Sequence, residues 1–422
     1  MTPPAALDRR LGTGDAVVIG LGSMIGAGVF SAWGPAAAAA GGWLLIGLLL
    51  AAGVAYCNAV ASAQLAAQYP TSGGTYVYGR ERLGPAWGFL AGWGFVIGKT
   101  ASSAAMALTF AAYLTPQPGV AQRLLAVAAV AVLTAVNYRG ITRTAGLARI
   151  LVTLSIAALT VFVAVAAAGA LSRGAAAPVG NMAGLYGVLQ SAGLLFFAFA
   201  GYARIATLGE EVRQPARTIP RAIPLALGIT VVIYLAVGIA ALAAAGAQAL
   251  AGSTRPLATA VEAVGAAWAL PVVQAGAVVA SLGALLALIA GVGRTALAMA
   301  RNADLPRWLA SVHPRAHVPD HAELALGVAI SVLVLTTDLR GAIGFSSFGV
   351  LVYYAIANAA AFTQTGGERR WPRFLNVAGL LGCLLLVATL PIQAVLAGGL
   401  MFAIGLAGWL LTARVRQLPA TG

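Results

Sequence analysis

Apolar stretches recur along the whole chain, and many reach the roughly 20 residues with which an α-helix crosses a hydrocarbon layer of about 30 Å. A segment in lipid must satisfy its own backbone hydrogen bonds, because lipid offers no partners. The stretches do not alternate apolar and polar residues as barrel strands do, so helices are expected. Composition agrees: 60% of the 422 residues are hydrophobic, 9% are charged and the mean hydropathy is +0.91, against about 25% charged residues in a soluble domain. The pattern predicts an all-α polytopic membrane protein with spans near 17–39, 43–65, 87–114, 124–138, 147–171, 188–208, 223–245, 271–298, 324–335, 345–362, 374–390 and 392–411. No soluble domain fits between them, so residues 1–422 read as a single domain. The segment before the first span is short, and no cleaved signal peptide is expected. Cys57 and Cys383 lie far apart inside apolar runs and read as small buried hydrophobes.

Arginine placement gives an orientation. With the N-terminus inside, eighteen arginines fall in cytoplasmic loops or ends, whereas Arg123, Arg173, Arg255 and Arg340 fall outside. Cytoplasmic loops retain Lys and Arg, so both termini are expected in the cytoplasm of a plasma-membrane protein. The +14 net charge is then largely an orientation signal with affinity for the anionic inner leaflet. Nucleic-acid binding is not expected, because the arginines are scattered over short loops rather than gathered on one surface.

Two spans carry internal breaks. The first reads VVIGLGSMIGAGVFSAWGP, with Gly20, Gly22, Gly26 and Gly28 inside a segment that must cross the bilayer. The sixth reads LLFFAFAGYARIATLGEEV, where Gly201 follows an aromatic run and the segment then turns polar. Broken helices at corresponding positions of two halves are a sequence pointer to a transporter site. One half-helix N-terminus offers amide donors to an anion, and unwound carbonyls receive a cation. The separation suits two five-helix inverted repeats, about 13–172 and 185–365, followed by two extra helices at about 372–413. The alternative is that small residues such as Gly22 and Gly26 merely let helices pack.

The chain resembles the amino acid-polyamine-organocation (APC) superfamily of transporters. The resemblance rests on GSMIGAGVF at 22–30, FAFAGYARIATLGEEVRQPARTIPRAI at 197–223, RTALAMARNADLPRWLASVH at 294–313 and PTSGGTYVY at 70–78. It implies a LeuT-like 5+5 inverted repeat and an α-amino acid held between the first and sixth helices. It also implies a carboxylate on the amides of Gly26, Ala27 and Gly28 with Ser23 nearby. The ammonium would meet carbonyls of Met24, Ile25, Phe199 and Ala200 beside Gly201, under a gating Phe199 ring. Some proton-coupled bacterial relatives carry a lysine in the fifth helix, where this chain has Ser155. Their coupling mechanism therefore does not transfer.

The chain supplies its own substitute candidate. Lys99 is the single lysine beside 24 arginines, and it stands inside the third span in GFVIGKTASSAAM. Twelve residues from Trp87 place it about 18 Å into the span, near mid-membrane. Ser102 and Ser103 share its face one turn on. Ionisable residues within a membrane are functional hypotheses by default, and a desolvated lysine, unlike an arginine, can release its proton. Lys99 is therefore the proton-coupling candidate; the alternative is a lysine paired with a carbonyl or snorkelling to a cavity.

All eleven acidic residues fall in loops or at helix ends on this reading. Glu210 and Glu211, followed by Arg213 and Arg217, are candidates for an inner-gate ion-pair network, or else ordinary solvated charge. Arg204 must face water, a helix C-terminus or the substrate path, since it cannot shed its charge. His313, His317 and His321 lie in a proline-containing loop and are not expected to hold a metal. The expected function is thus secondary transport of amino acids, neutral or acidic, by proton symport or exchange, with no cofactor. The expected partners are the amino acid substrate, the lipid bilayer and a proton. Rival readings are a sodium-coupled LeuT-like carrier and a membrane-embedded enzyme or channel; oligomeric state is not legible in the sequence.

Overall fold

The computed structural model describes residues 11–71, 73–115, 117–140, 145–173, 184–209 and 211–417. The first span is divided into α1 (Thr13–Met24), α2 (Ala27–Ser31) and α3 (Trp33–Ala40). It is followed by α4 (Leu44–Gln68), the short α5 (Thr75–Leu83), α6 (Pro85–Leu114), α7 (Val120–Tyr138) and α8 (Ala145–Arg173). The sixth span is divided into α9 (Leu185–Phe199) and α10 (Ala203–Ala206). Then come α11 (Pro215–Ala251), α12 (Pro256–Ala263), α13 (Leu270–Arg301), α14 (Asp320–Thr336), α15 (Leu339–Phe362), α16 (Arg373–Thr389) and α17 (Ile392–Gln417). No strand lies among the described residues, where Leu11 and Val212 form an isolated parallel bridge.

Ten helical stretches among the described residues are long and apolar enough to cross a membrane. Helices α14 and α16, of 17 residues each, lie where two further spans were expected. Large apolar side chains such as Leu49, Val132, Ile150, Val232, Leu381 and Leu396 are exposed on the outside, which suits a lipid solvent rather than water.

Helix α6 is the central post, with 94% of its most apolar window buried, whereas the corresponding window of α17 is 11% buried. It packs on α13 and α15, while α4 packs on α9 and α11. Between lipid-embedded helices there is little hydrophobic drive, so close approach of small residues carries the association. At the α6–α15 crossing a Cβ on Gly349 would come within 2.7 Å of the Gly94 carbonyl oxygen, and one on Gly98 within 3.1 Å of the Ser346 carbonyl oxygen. That contact brings Ser102, one turn on from Gly98, up to Ser346 of α15. For orientation below, the near face is the one where α1 begins and the far face is where α3 ends.

Candidate substrate site

The two broken spans meet backbone to backbone. Helix α1 ends at Met24; Ile25 (φ −78°, ψ 69°) and Gly26 (φ −118°, ψ −150°) leave the helix, and α2 starts at Ala27. In the sixth span α9 ends at Phe199 and a 3-10 turn over Ala200–Tyr202 leads into α10. A Cβ on Gly201 would lie 2.1 Å from the Ser23 carbonyl oxygen, so only glycine permits this approach. Both α1 and α9 therefore end at one locus, and helix C-termini expose carbonyls and a partial negative charge. Helical geometry resumes at Ala27 and runs through α2, Ala32 and α3, so a helix N-terminus with its amide donors faces the same locus.

Side chains from three other helices enter it. The Tyr234 hydroxyl of α11 lies 2.6 Å from the Met24 carbonyl oxygen and 3.0 Å from that of Ala198, so one O–H bridges the two breaks. Lys99 is 6% exposed, and its Nζ donates to the Ala200 carbonyl at 3.0 Å. The Tyr354 hydroxyl of α15 reaches the same oxygen at 3.4 Å, and its ring stacks on Tyr202 with centroids 4.9 Å apart. Ser103 donates to the Lys99 carbonyl, and Ser102 pairs with Ser346 at 2.6 Å. Lys99 is the fifteenth of the 30 residues of α6, at its midpoint as expected.

A single face of α6 spans both breaks. Met106 follows Lys99 by seven residues, two turns and about 10 Å along the same face. A Cβ on Gly26 would meet Ala284 of α13 at 3.0 Å and the Met106 methyl at 3.7 Å, whereas one on Gly28 would strike the Ala198 backbone at 2.6 Å. Gly26 therefore looks across at α6 and α13, while Gly28 is packed against α9. Ser23 bonds back to the Ile19 carbonyl at 2.9 Å.

The locus is closed at both faces. Towards the far face the Tyr113 hydroxyl of α6 donates to the Phe30 carbonyl at 2.7 Å, its ring meets Phe30 edge-on, and it accepts from the Leu257 amide of α12. Towards the near face a cavity of about 10 Å³ is lined by Gly73, Tyr76, Phe95, Thr207, Thr295 and Tyr353. Below it lies buried Asp304, which accepts from Tyr76 at 2.7 Å, from Arg80 at 3.0 Å and from the Trp409 indole at 2.8 Å. Burial and the Asp304 carboxylate push the Tyr76 phenol well above its usual range, which keeps its proton on the donor side of that bond.

Other expected residues are placed differently. The Phe199 ring is bedded against Tyr234 with centroids 5.1 Å apart, so a gating movement would have to take it out of the α9–α11 interface. Glu210 lies outside the described residues. Glu211 makes none of the ion pairs found among the described residues, which are Arg80–Asp304, Arg149–Asp15 and Arg255–Glu262. Among the described residues Glu211 forms no ion pair with Arg213 or Arg217; the backbone there is tied to the N-terminal segment by Leu11 N–H to Glu211 O and Arg213 N–H to Leu11 O. Arg204 is half-buried, its Nη1 is 3.4 Å from the Thr207 hydroxyl, and Arg294 and Glu211 stand within electrostatic reach. Ser155 is buried and bonds back to the Leu151 carbonyl.

Sequence reading missed four residues here. Tyr234, Tyr354 and Asp304 carry no local pattern that distinguishes them from core residues or loop charge. Glu323 falls at a helix end, as expected, but is 2% exposed with one oxygen unpartnered, close to Arg294. Its position at the fourth residue of α14 gave no hint of that burial.

The sequence matches the amino acid permease family over residues 11–409. An uncharacterized transporter of Mycobacterium tuberculosis is 58% identical over 98% of this chain and 94% of its own length. The branched-chain amino acid permease BcaP of Bacillus subtilis is 26% identical over 91% of this chain and 89% of its own. A chloroplastic cationic amino acid transporter of Arabidopsis thaliana is 27% identical over 86% of this chain and 67% of its own.

Proposed function

The chain belongs to the amino acid permease family, and on that premise we propose that it carries neutral or acidic amino acids across the plasma membrane by proton symport or exchange. The helices form two five-helix inverted repeats plus two extra helices, with both termini in the cytoplasm, so that the near face is cytoplasmic. The reading is carried by one observation: the backbone breaks of two spans meet at the middle of α6, with two helix C-termini and one N-terminus at the same place. A zwitterion fits such a locus without any charged side chain, its carboxylate towards Gly26 and the amides of Ala27 and Gly28, its ammonium towards the carbonyls of Met24, Ile25, Phe199 and Ala200. Phe199, Glu210 and Glu211 act in gating.

Lys99 sets the preference for substrate charge. With Lys99 on the Ala200 carbonyl, a cationic substrate side chain meets repulsion, so leucine or glutamate is favoured over arginine. The named substrates of the Bacillus subtilis relative fit this; those of the Arabidopsis thaliana relative do not, which makes the choice informative. Uptake into liposomes holding the purified protein tests it: selective uptake of arginine over neutral and acidic amino acids would overturn the preference. Lys99 is also the proton-coupling group, because it is the ionisable side chain at the break and can release a proton as arginine cannot. Lys99→Arg is expected to abolish pH-dependent net uptake, and a wild-type pH profile in that variant would assign Lys99 a purely structural role.

A sodium-coupled carrier is the second reading, favoured by Ser281, whose buried hydroxyl oxygen has no partner. Against it, the α13 run after Ser281 has no hydroxyl until Thr295, and hard cations need several oxygen ligands. Uptake that follows a sodium gradient at clamped pH and voltage would select this reading.

A further inference from the structure

We propose that the Lys99 side chain is a tethered occupant of the ammonium subsite, which an amino acid must displace in order to bind. The inference rests on the amino acid reading above and deepens it. The Ala200 carbonyl caps α9, where a helix C-terminus presents unsatisfied oxygens and a partial negative charge. That oxygen is the acceptor a free α-ammonium would seek, and Nζ already holds it at 3.0 Å. Both groups are the same donor, a nitrogen with several hydrogens seeking carbonyl oxygens. The Met24 carbonyl on the facing break is likewise held, by the Tyr234 hydroxyl at 2.6 Å. Two of the four carbonyls assigned to the ammonium, those of Ala200 and Met24, are therefore already held by the protein itself.

Charge makes the occupancy exclusive. None of the three ion pairs among the described residues includes Lys99, so nothing nearby neutralises it against a second ammonium. Two ammonium groups on neighbouring carbonyls in a low-dielectric interior repel strongly. The displaced side chain has somewhere to go. Phe95, one turn towards the near face on α6, walls the small cavity that also presents the hydroxyl-bearing residues Thr207, Thr295 and Tyr353. A lysine stem is flexible enough to swing its nitrogen one turn along the helix.

The test uses the full-length protein in lipid nanodiscs, titrated by thermal stabilisation with leucine and with 4-methylpentanoate, which is leucine without its amino group. If wild type answers to another amino acid, that one and its deaminated counterpart take their place. In Lys99→Met the competitor is gone, so amino acid affinity is expected to rise about tenfold, the scale of one displaced charge-assisted hydrogen bond. The deaminated acid, which in wild type borrows Lys99 as its cation, is expected to weaken in the same variant. Opposite movement of the two ligands is the signature, and a merely structural lysine would not produce it. Lys99→Gln keeps a donor to the carbonyl without the charge and serves if the methionine variant does not fold; it should move both ligands in the same directions by less. Amino acid affinity that falls or stays unchanged in these variants overturns the proposal while leaving the transport reading intact. No stabilisation of wild type or variants by any of the proteinogenic amino acids overturns the transport reading itself.

Discussion

The two helix breaks reach the same result by opposite means. In the first span the chain leaves the helix through a run of glycines that look onto Ala284, Met106 and the Ala198 backbone, and one side-chain hydroxyl, that of Tyr234, reaches its Met24 carbonyl. In the sixth span Gly201 is the one glycine of the Ala200–Tyr202 turn, and the break is held open by polar side chains arriving from elsewhere, Lys99 from α6, Tyr354 from α15 and Tyr234 from α11. A break made of backbone is specified locally. A break propped by side chains depends on the whole bundle. The first therefore suits an invariant carboxylate contact, and the second suits a place where occupancy changes during the cycle.

The largest effect is expected where the breaks touch. Gly201→Val would drive a Cβ into the Ser23 carbonyl, which is backbone and cannot rotate away, so we expect a loss of about 4 kcal/mol or more. The readout is recovery of monodisperse protein on size exclusion; a well-folded Gly201→Val would show that the breaks do not need this approach. Gly26→Leu should behave differently, because Gly26 faces the locus rather than the other break. That variant is expected to fold and insert but to lose substrate binding, and an unchanged affinity in ligand titrations would remove the first break from the site.

Tyr234→Phe sharpens the comparison at a smaller scale. It removes the hydroxyl that bridges Met24 and Ala198 but keeps the ring against Phe199, so a loss of about 1–3 kcal/mol is expected from the unsatisfied carbonyls. A melting temperature equal to wild type would mean that water or a neighbour replaces the bond. The smallest effect lies outside both breaks and serves as their control. Ala303 follows the end of α13 with φ +56°, a left-handed position at which Asp304 N–H bonds to the Met299 carbonyl and Ala303 N–H to that of Ala300. Ala303→Gly is expected to add about 0.5–1 kcal/mol of stability, the left-handed strain relieved net of the entropy glycine costs, with substrate affinity unchanged. A lowered melting temperature would argue that the Asp304 hub needs the alanine methyl.

Much of this was legible in the sequence where the signal is local. The helices lie close to the apolar stretches, because lipid forces each segment to satisfy its own backbone. The first break was marked by glycine spacing, and the place of Lys99 at the middle of α6 followed from counting residues along one helix. The surroundings of Glu211 were not legible, for the opposite reason. Its charged neighbours are close in sequence, but the chain there is held by Leu11, about two hundred residues away, and sequence proximity does not set side-chain direction.

Apolar run length and glycine spacing by themselves determined that this chain is a helical membrane protein with interrupted first and sixth spans, since each is a property of one segment in contact with its solvent. Only the tertiary structure decided what fills the interruptions. Lys99 and Ala200 are 101 residues apart, Tyr234 and Met24 are 210 apart, and Tyr76 and Asp304 are 228 apart. Whether a carbonyl at a helix end stays open or receives a donor depends on which other helix packs over it at that height. That is settled by close approaches such as Gly94, Gly98 and Gly349, whose effect is felt only when two distant segments meet.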